Sequence, residues 1–216
     1  MNIEKLKKAE HEFLMRYPGG FDNPEMVALS KKHKPEKMTE LARSFFAPEK
    51  FVFTEEIVSN MVKIISQSSM ISIFEKPQFR DFVKVLSSDE RVLLARGLEE
   101  MLHGDQELGY RWMIDVLTIG KMAKWPIVTI CPVYFNPKVE VFVKPTTTKF
   151  VINHFELKDI EYKPRPSYEF YKRYKAHIEE MKALVTPCLY PSNPAFTAFL
   201  MLGMPEHNPF GVETGQ

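Results

Sequence analysis

The segment of residues 125–149 constrains the fold of this 216-residue chain more than any other part of the sequence. Here a helical pattern gives way to β-branched and aromatic residues, interrupted by three prolines and followed by a basic turn at residues 144–149. The apolar runs 128–135 and 139–143 predict a β-hairpin around residues 136–138. Because two isolated strands are only marginally stable in water, we expect this hairpin to pack against helices.

Most of the remaining chain has apolar residues at helical spacing, which indicates helices with one buried face. Ser87 with Glu90 three residues later forms a capping box, and Asp105 is a good N-cap, so each predicts a helix start. The helix expected over 105–123 is apolar on nearly every side, which predicts a central position. We therefore expect a mainly α, multi-helix globular fold with one small β-hairpin near residues 128–143.

The length of the chain fits one large domain or two small ones. We predict a single helical domain over residues 1–204, within which residues 1–50 form either an integral part or a separate N-terminal subdomain. Residues 205–216 are rich in proline, glycine and polar side chains, so we expect a loosely held tail.

Charge and cysteine content predict a cytoplasmic protein without a membrane partner. The net charge of +1 gives no global attraction to nucleic acid or membrane. The two cysteines are far apart in sequence and form no CxxC pair, which favours a reducing compartment. The N-terminal residues are too charged for a signal peptide, and the most apolar window, 196–204, is too short to span a bilayer.

Charge is nevertheless distributed unevenly along the chain. Residues 121–182 carry 12 lysines and arginines against 7 acidic residues, whereas residues 51–120 carry 7 against 11. This polarity suits an anionic ligand, and it equally suits two oppositely charged halves that pack on each other.

Four cations of the basic section are candidate ligand-binding residues: Lys144, Lys149, Lys163 and Arg165. If they share one surface, they predict an anionic partner such as nucleic acid, because lysine and arginine neutralise phosphates. The aromatic and basic run 168–175 could also stack bases. However, its tyrosines at 171 and 174 fall on an apolar helical seam, so we assign them to the core.

Asp115 lies in the apolar helix expected over 105–123, where a carboxylate must be paired or have a raised pKa. Arg111 lies one turn earlier and can pair with it. Asp115 is then either a buried ion pair or an acid facing a pocket between this helix and the hairpin. In the second case the protein is an enzyme or small-molecule binder, with Asp115 and His154 as weak catalytic candidates and Arg111 and Lys144 as binding candidates.

The sequence contains no common motif of nucleotide, metal or nucleophile chemistry, since GxGxxG, P-loop, HExxH, GxSxG and paired CxxC patterns are absent. Glu100 and His103 share one helix face, but carboxylate-bridged metal sites need a second such step and further glutamates. We therefore predict no metal and no cofactor. Enzymatic activity stays uncertain, and a non-enzymatic protein is favoured.

Part of the basic section resembles a known family. Trp125-Pro126, the prolines after it, the run 142–145, Thr148-Lys149 and the Tyr-x-Pro-Arg-Pro run at 162–166, followed by a tyrosine-rich helix, are similar to a run in uncharacterised bacterial hypothetical proteins. The resemblance covers residues 125–174. It implies a recurring structural unit, and it implies no activity or catalytic residue.

Three functions therefore compete. The leading one is a soluble helical binding protein for an anionic partner such as nucleic acid, which would bind through residues 121–182. The second is an enzyme or small-molecule binder with a pocket between the helix at 105–123 and the hairpin. The third is a homo-oligomeric adaptor that uses the apolar helix at 196–204 as its contact.

Overall fold

The computed structural model describes residues 1–203, and within this range the chain forms α-helices and 3-10 helices but no β-strand. The α-helices are α1 (Ile3–Arg16), α2 (Pro24–Lys31), α3 (Pro35–Phe45), α4 (Thr54–Gln67), α5 (Glu75–Val85), α6 (Ser88–His103), α7 (Gln106–Ile119), α8 (Trp125–Phe135), α9 (Pro145–His154), α10 (Tyr168–Ala183) and α11 (Asn193–Leu202). The 3-10 helices are Gly20–Asp22, Pro48–Val52 and Pro187–Leu189. The mainly α prediction is confirmed.

Two predicted helix starts are present as the sequence indicated. The Ser87 side chain accepts a hydrogen bond from the Glu90 N–H, and the Glu90 side chain accepts one from the Ser87 N–H. The Asp105 carboxylate accepts from the N–H groups of Glu107 and Leu108 at the start of α7. Local capping chemistry thus determines both boundaries without help from the rest of the fold.

Every α-helix contributes buried apolar side chains to one continuous core. Within the first fifty residues, α1 packs against α11 and α3 packs against α8. Whether residues 1–50 form a separate subdomain stays a prediction, and the tail predicted at 205–216 lies outside the described residues. Among the helices of residues 1–203, none combines the length and the apolar composition of a membrane span.

The predicted β-hairpin near residues 128–143 is wrong, because its first strand is helix α8. Ten of the eleven residues of α8 are buried, and α3, α4, α6 and α7 pack around it. Pro126 lies in the first turn, where a missing N–H is tolerated, and Pro132 lies inside the helix. Strand propensity depends strongly on context, so burial on all sides overrides the β-branched composition.

This packing makes α8 the central element, rather than the helix predicted over 105–123. The buried residues of α7 lie on one side of that helix, and the residues at 111, 115 and 118 are exposed on the other. The spacing of four and three residues is that of a solvent-facing stripe on an amphipathic helix.

The second predicted strand, 139–143, has no regular secondary structure, although most of it is buried. The Val141 N–H donates to the Tyr171 hydroxyl at 3.0 Å, and the Val143 N–H donates to Thr129 Oγ1 at 3.1 Å. Side chains of α8 and α10 therefore satisfy the backbone groups that a neighbouring strand would satisfy in a sheet.

Glu140 connects this segment to three helices. Its carboxylate accepts hydrogen bonds from the Tyr171 hydroxyl, from Gln106 Nε2 at 3.1 Å and from Lys175 Nζ at 2.8 Å. Its backbone carbonyl accepts from Asn193 Nδ2 at 3.2 Å. Burial, reinforced by the charge of Glu140, raises the pKa of Tyr171, so the phenol stays protonated as a donor.

Helices α6 and α7 pack closely at two glycines, Gly97 and Gly109. A Cβ atom at Gly109 would lie 2.5 Å from the Met101 backbone nitrogen and 2.7 Å from the Gly97 carbonyl oxygen. Because both of these atoms belong to the backbone of α6, a side chain at Gly109 cannot be accommodated by a rotamer change alone.

We expect Gly109→Ala to lower the free energy of unfolding by about 2 kcal/mol, because separating α6 and α7 outweighs the gain in helix propensity of about 1 kcal/mol. Urea denaturation measures the change. Ser59→Ala, at an exposed position of α4, is the control and should alter stability by less than about 0.5 kcal/mol. A Gly109→Ala protein as stable as the parent would contradict the close approach of the two helices.

We expect Thr129→Val to leave the buried Val143 N–H without an acceptor, at a cost of about 2 kcal/mol. Thr129→Ser keeps the hydroxyl and serves as the matched control. The specific readout is amide hydrogen exchange at Val143, which should become fast in the valine variant and stay slow in the serine variant. Equal protection in both variants would show that another group accepts this hydrogen bond.

Candidate functional site

An open cleft of about 570 Å³ forms where four segments of the chain meet. Its lining comes from residues 69–75 between α4 and α5, from 124–126 at the start of α8, from 144–146 at the start of α9, and from 162–164 before α10. We call it the basic cleft, because two lysines of the basic section, Lys124 and Lys144, line it.

Two helices begin at the basic cleft, and each follows a lysine. Lys124 is the N-cap residue of α8 and Lys144 that of α9, and in neither helix does a side chain cap the first turn. The first N–H groups of a helix and its dipole both favour an anion at this end. Since both helix starts open to the same space, their electrostatic effects add.

The two N-cap lysines differ in how far their charge is already compensated. Lys124 Nζ lies 3.4 Å from a Glu75 carboxylate oxygen and 3.3 Å from Gln78 Oε1. Lys144 is exposed and has no carboxylate within ion-pair distance in the part of the chain that the structure describes. Lys144 is therefore the cation most available to a ligand.

The structure places one of the four predicted cations of the basic section in the lining of this cleft and the other three next to residues that line it. Lys144 lines the cleft, and Lys149 Nζ lies 5.0 Å from the ring centre of Tyr162, which also lines it. Lys163 and Arg165 are exposed on either side of a cleft-lining proline. We call Lys144, Lys149, Lys163 and Arg165 the basic rim; their role as ligand contacts stays a prediction.

Trp125 positions the segment that carries half of the basic rim. Its indole Nε1 donates a 2.8 Å hydrogen bond to the Lys163 carbonyl, and its ring centre lies 5.0 Å from that of Phe170 on α10. The buried start of α8 thus holds residues 162–164 beside the start of α9.

The structure does not bring Arg111 and Asp115 to the basic cleft. Both are exposed on α7, so neither a buried ion pair nor a sealed pocket acid describes Asp115. The cleft takes no lining residue from 105–123, and the hairpin that should form the other wall of the predicted pocket is absent from residues 1–203.

His154 also lies away from the basic cleft. It sits at the C-terminal end of α9, about 15 Å along the helix from the end that faces the cleft. Its ring stacks on Phe150 with centres 5.3 Å apart and meets Phe155 edge-on at 4.8 Å. The imidazole therefore packs on aromatic rings at the opposite end of the helix from the cleft.

Glu100 and His103 do not form a joint site. The Glu100 carboxylate accepts the Asp105 N–H at 2.7 Å, whereas His103 Nε2 lies 2.8 Å from the Phe46 carbonyl oxygen. In residues 1–203 no group of three or more histidine, cysteine, aspartate or glutamate side chains is arranged to hold a metal ion.

The apolar helix proposed as an oligomer contact packs inside the chain. Phe196, Phe199, Leu200 and Leu202 of α11 are buried, and α11 contacts α1 and α9. The sequence prediction extended this surface to Met204, which lies outside the described residues. Whether the protein forms a homo-oligomer stays a prediction, and the helix that suggested it is packed against the rest of the chain.

A second cavity of about 420 Å³ lies beside α1 and contains Glu10. The Glu10 carboxylate accepts hydrogen bonds from the Thr186 N–H and hydroxyl, both at 2.7 Å, and from Lys7 Nζ at 2.9 Å. Burial opposes ionisation, but the hydrogen bonds from Lys7 and Thr186 prevail and lower the pKa of Glu10. These contacts join α1 to Thr186, the residue directly before the Pro187–Leu189 helix.

Sequence reasoning missed the wall of the basic cleft at residues 69–75, which carries no motif. It also missed Lys124. One signal was present, because Lys124 and Lys144 each stand directly before a first helical turn that contains proline. That pattern marks two helix starts with lysine at the N-cap, but it cannot show that they meet.

A comparison of the chain with protein-family models, curated proteins and solved structures finds no match. The resemblance of residues 125–174 to uncharacterised bacterial proteins stays a prediction. Function therefore has to be inferred from the geometry and charge of the cleft.

We expect Glu10→Gln to lower the free energy of unfolding by about 1 kcal/mol at pH 7, because it removes a charged acceptor. The folded-state pKa of Glu10 lies below its ordinary value of 4.5, so the stabilisation is complete above that pH and is lost as the pH falls through the folded-state value. Urea denaturation at pH 7 and at lower pH measures the difference. Glu12→Gln on the same helix is the control, and a pH-independent difference for Glu10→Gln would contradict the assignment.

Proposed function

We propose that the protein is a non-enzymatic binding protein that holds a phosphate-bearing anion in the basic cleft. The observation that carries the proposal is the meeting of two uncapped helix starts, α8 and α9, at one cleft with lysine at each N-cap. Helix N-termini supply N–H donors and a positive dipole end, the combination that phosphate groups bind.

The size and lining of the cleft support a small ligand. Its volume of about 570 Å³ lies within the usual range for small-molecule sites. Lys144 Nζ and the N–H groups of Thr146 and Thr147 in the first turn of α9 are the donors that we assign to the phosphate. Tyr162 offers a partly exposed ring for the rest of the ligand.

Binding fits this lining better than catalysis does. Glu75 is the one carboxylate among the lining residues, and Lys124 already contacts it. General acid–base catalysis needs a proton-transferring group within reach of the reacting atoms. The earlier catalytic candidates, Asp115 and His154, lie elsewhere, so no residue of the cleft is assigned a catalytic role.

Single-stranded nucleic acid is a second candidate ligand, favoured by the basic rim around Tyr162. Lys149 lies over the Tyr162 ring, and Lys163 and Arg165 are exposed within three residues of Tyr162 in the chain. A cationic track next to an aromatic ring is the usual arrangement for sequence-tolerant binding of single strands.

We also keep the cytoplasmic location as a proposal, supported by two free cysteines.

The direct test is a fluorescence titration with pyrophosphate in a Trp112→Phe background, which leaves Trp125 at the cleft as the reporter. We expect saturable binding that Lys144→Ala weakens about tenfold, which corresponds to about 1.4 kcal/mol. Arg111→Ala removes an equally exposed cation from α7 and should leave binding unchanged.

Two outcomes would count against the proposal: no binding at low salt, or equal losses from Lys144→Ala and Arg111→Ala. A single-stranded oligonucleotide, titrated over a range of salt concentrations, tests the second candidate. Tighter binding than pyrophosphate with a steep salt dependence would favour nucleic acid, since several phosphates would then release counterions together.

A further inference from the structure

Two large apolar side chains project from the wall of the basic cleft into solvent. Ile73 is 73% exposed and Phe74 is 72% exposed, and their neighbours Ser72 and Glu75 both line the cleft. An apolar pair of this kind is unfavourable in water and marks a contact surface when it adjoins a binding site.

We propose that the basic cleft and this apolar tip form one docking surface for an anionic lipid membrane. In this arrangement Ile73 and Phe74 enter the boundary between headgroups and acyl chains, and a lipid phosphate occupies the cleft. The proposal rests on the proposed function, because it names the source of the phosphate. A surface contact of this kind needs no membrane-spanning helix.

Charge complementarity favours a negatively charged surface as the partner. Lys124 and Lys144 line the cleft, Lys149 lies over the ring of Tyr162, and Lys163 and Arg165 are exposed on either side of the cleft-lining Pro164. The opposing carboxylates in the same segments are Glu75, which Lys124 contacts, and the exposed Glu161. Cations near the anionic cytoplasmic leaflet are attracted to it.

A second exposed apolar pair shows that exposure alone does not select this site. Val52 is 77% exposed and Phe53 is 57% exposed at the start of α4. Glu55 and Glu56 follow immediately and are paired with Arg91 at 2.8 Å and Lys50 at 3.5 Å, so this end offers an anionic membrane no excess of positive charge. The tip at Ile73 differs because it adjoins the cleft lined by Lys144, which has no carboxylate within ion-pair distance among residues 1–203.

Area argues for a lipid surface over a folded protein partner. Stable protein interfaces bury roughly 800 Å² on each side, which two side chains cannot supply. Reversible membrane binding, in contrast, needs only two modest signals, such as an apolar insertion together with a basic patch. Isoleucine has no ring to stack on a base, so the pair as a whole does not suit nucleic acid.

The loop behind the tip is well anchored, so the two side chains stay presented. Ser68 Oγ lies 2.9 Å from the Tyr134 hydroxyl oxygen and accepts the Met70 N–H at 3.0 Å. Ile71 is buried, and the Glu75 N–H donates to the Ser72 carbonyl at 3.0 Å. The chain is thus held on both sides of residues 73–74.

The test is co-sedimentation of the full chain with phosphatidylcholine vesicles, alone or with about one third phosphatidylserine. We expect binding only to the anionic vesicles. The double variant Ile73→Ser/Phe74→Ser should weaken it about tenfold or more, because it removes the inserted apolar surface. The same variant should bind pyrophosphate as the parent does, whereas Lys144→Ala should weaken both interactions.

The matched control is Val52→Ser/Phe53→Ser, which removes an exposed apolar pair that does not line the basic cleft and should leave vesicle binding unchanged. Parent-like vesicle binding by Ile73→Ser/Phe74→Ser, or binding to neutral vesicles as well as to anionic ones, would overturn the proposal. The proposal would also be overturned if the parent bound the oligonucleotide but no vesicles, and if Ile73→Ser/Phe74→Ser lost the oligonucleotide binding.

The outcomes separate this proposal from the function on which it rests. If the parent binds pyrophosphate but ignores vesicles, the membrane surface is wrong and the anion-binding function stands. If it binds neither, both are wrong. If it binds anionic vesicles through Ile73 and Phe74 but not pyrophosphate, the phosphate site in the cleft is wrong, and so is the single docking surface that combines the cleft with the tip.

Discussion

The fold depends on how residues 136–144, which connect α8 to α9, satisfy their buried backbone without a sheet. Each buried N–H or C=O group left without a partner would cost about 1–3 kcal/mol. Thr129 and Tyr171 accept the N–H groups of Val143 and Val141, and the Glu140 carboxylate joins the segment to α7 and α10. These hydrogen bonds stabilise the segment, and they also determine where α9 begins.

The basic cleft is a consequence of that connection. Helix α8 starts at the cleft and is about 16 Å long, and the nine connecting residues are long enough to return to its starting end. Helix α9 therefore starts beside α8, with both positive dipole ends facing one space. The Trp125 indole donates a hydrogen bond to the Lys163 carbonyl, which places residues 162–164 as the third wall of the cleft. The cleft lysines, the N-terminal ends of α8 and α9, and the exposed pair Ile73 and Phe74 therefore lie on one side of the packed core.

Local signals in the sequence predicted much of the helical framework. The capping box at Ser87 and the N-cap at Asp105 act within one turn, so they are independent of the rest of the chain. The apolar seam through Tyr171 and Tyr174 also placed those tyrosines correctly in the core. The same reasoning gave a wrong prediction for residues 128–135, because the sequence of a short, mostly apolar run does not distinguish a buried strand from a buried helix. Asp115 was misplaced because its helix was assigned to the centre.

The amino-acid pattern alone is enough to predict a mainly helical protein, the start of several helices, and the section that carries the excess of lysine and arginine. These properties follow from side-chain periodicity, capping and composition, which are local. The packed fold, in contrast, makes α8 the central helix, places Lys144 in the cleft with Lys149, Lys163 and Arg165 next to lining residues, and adds residues 69–75 as a further wall. Such arrangements depend on contacts between residues far apart in the chain, and no periodicity or local propensity encodes them.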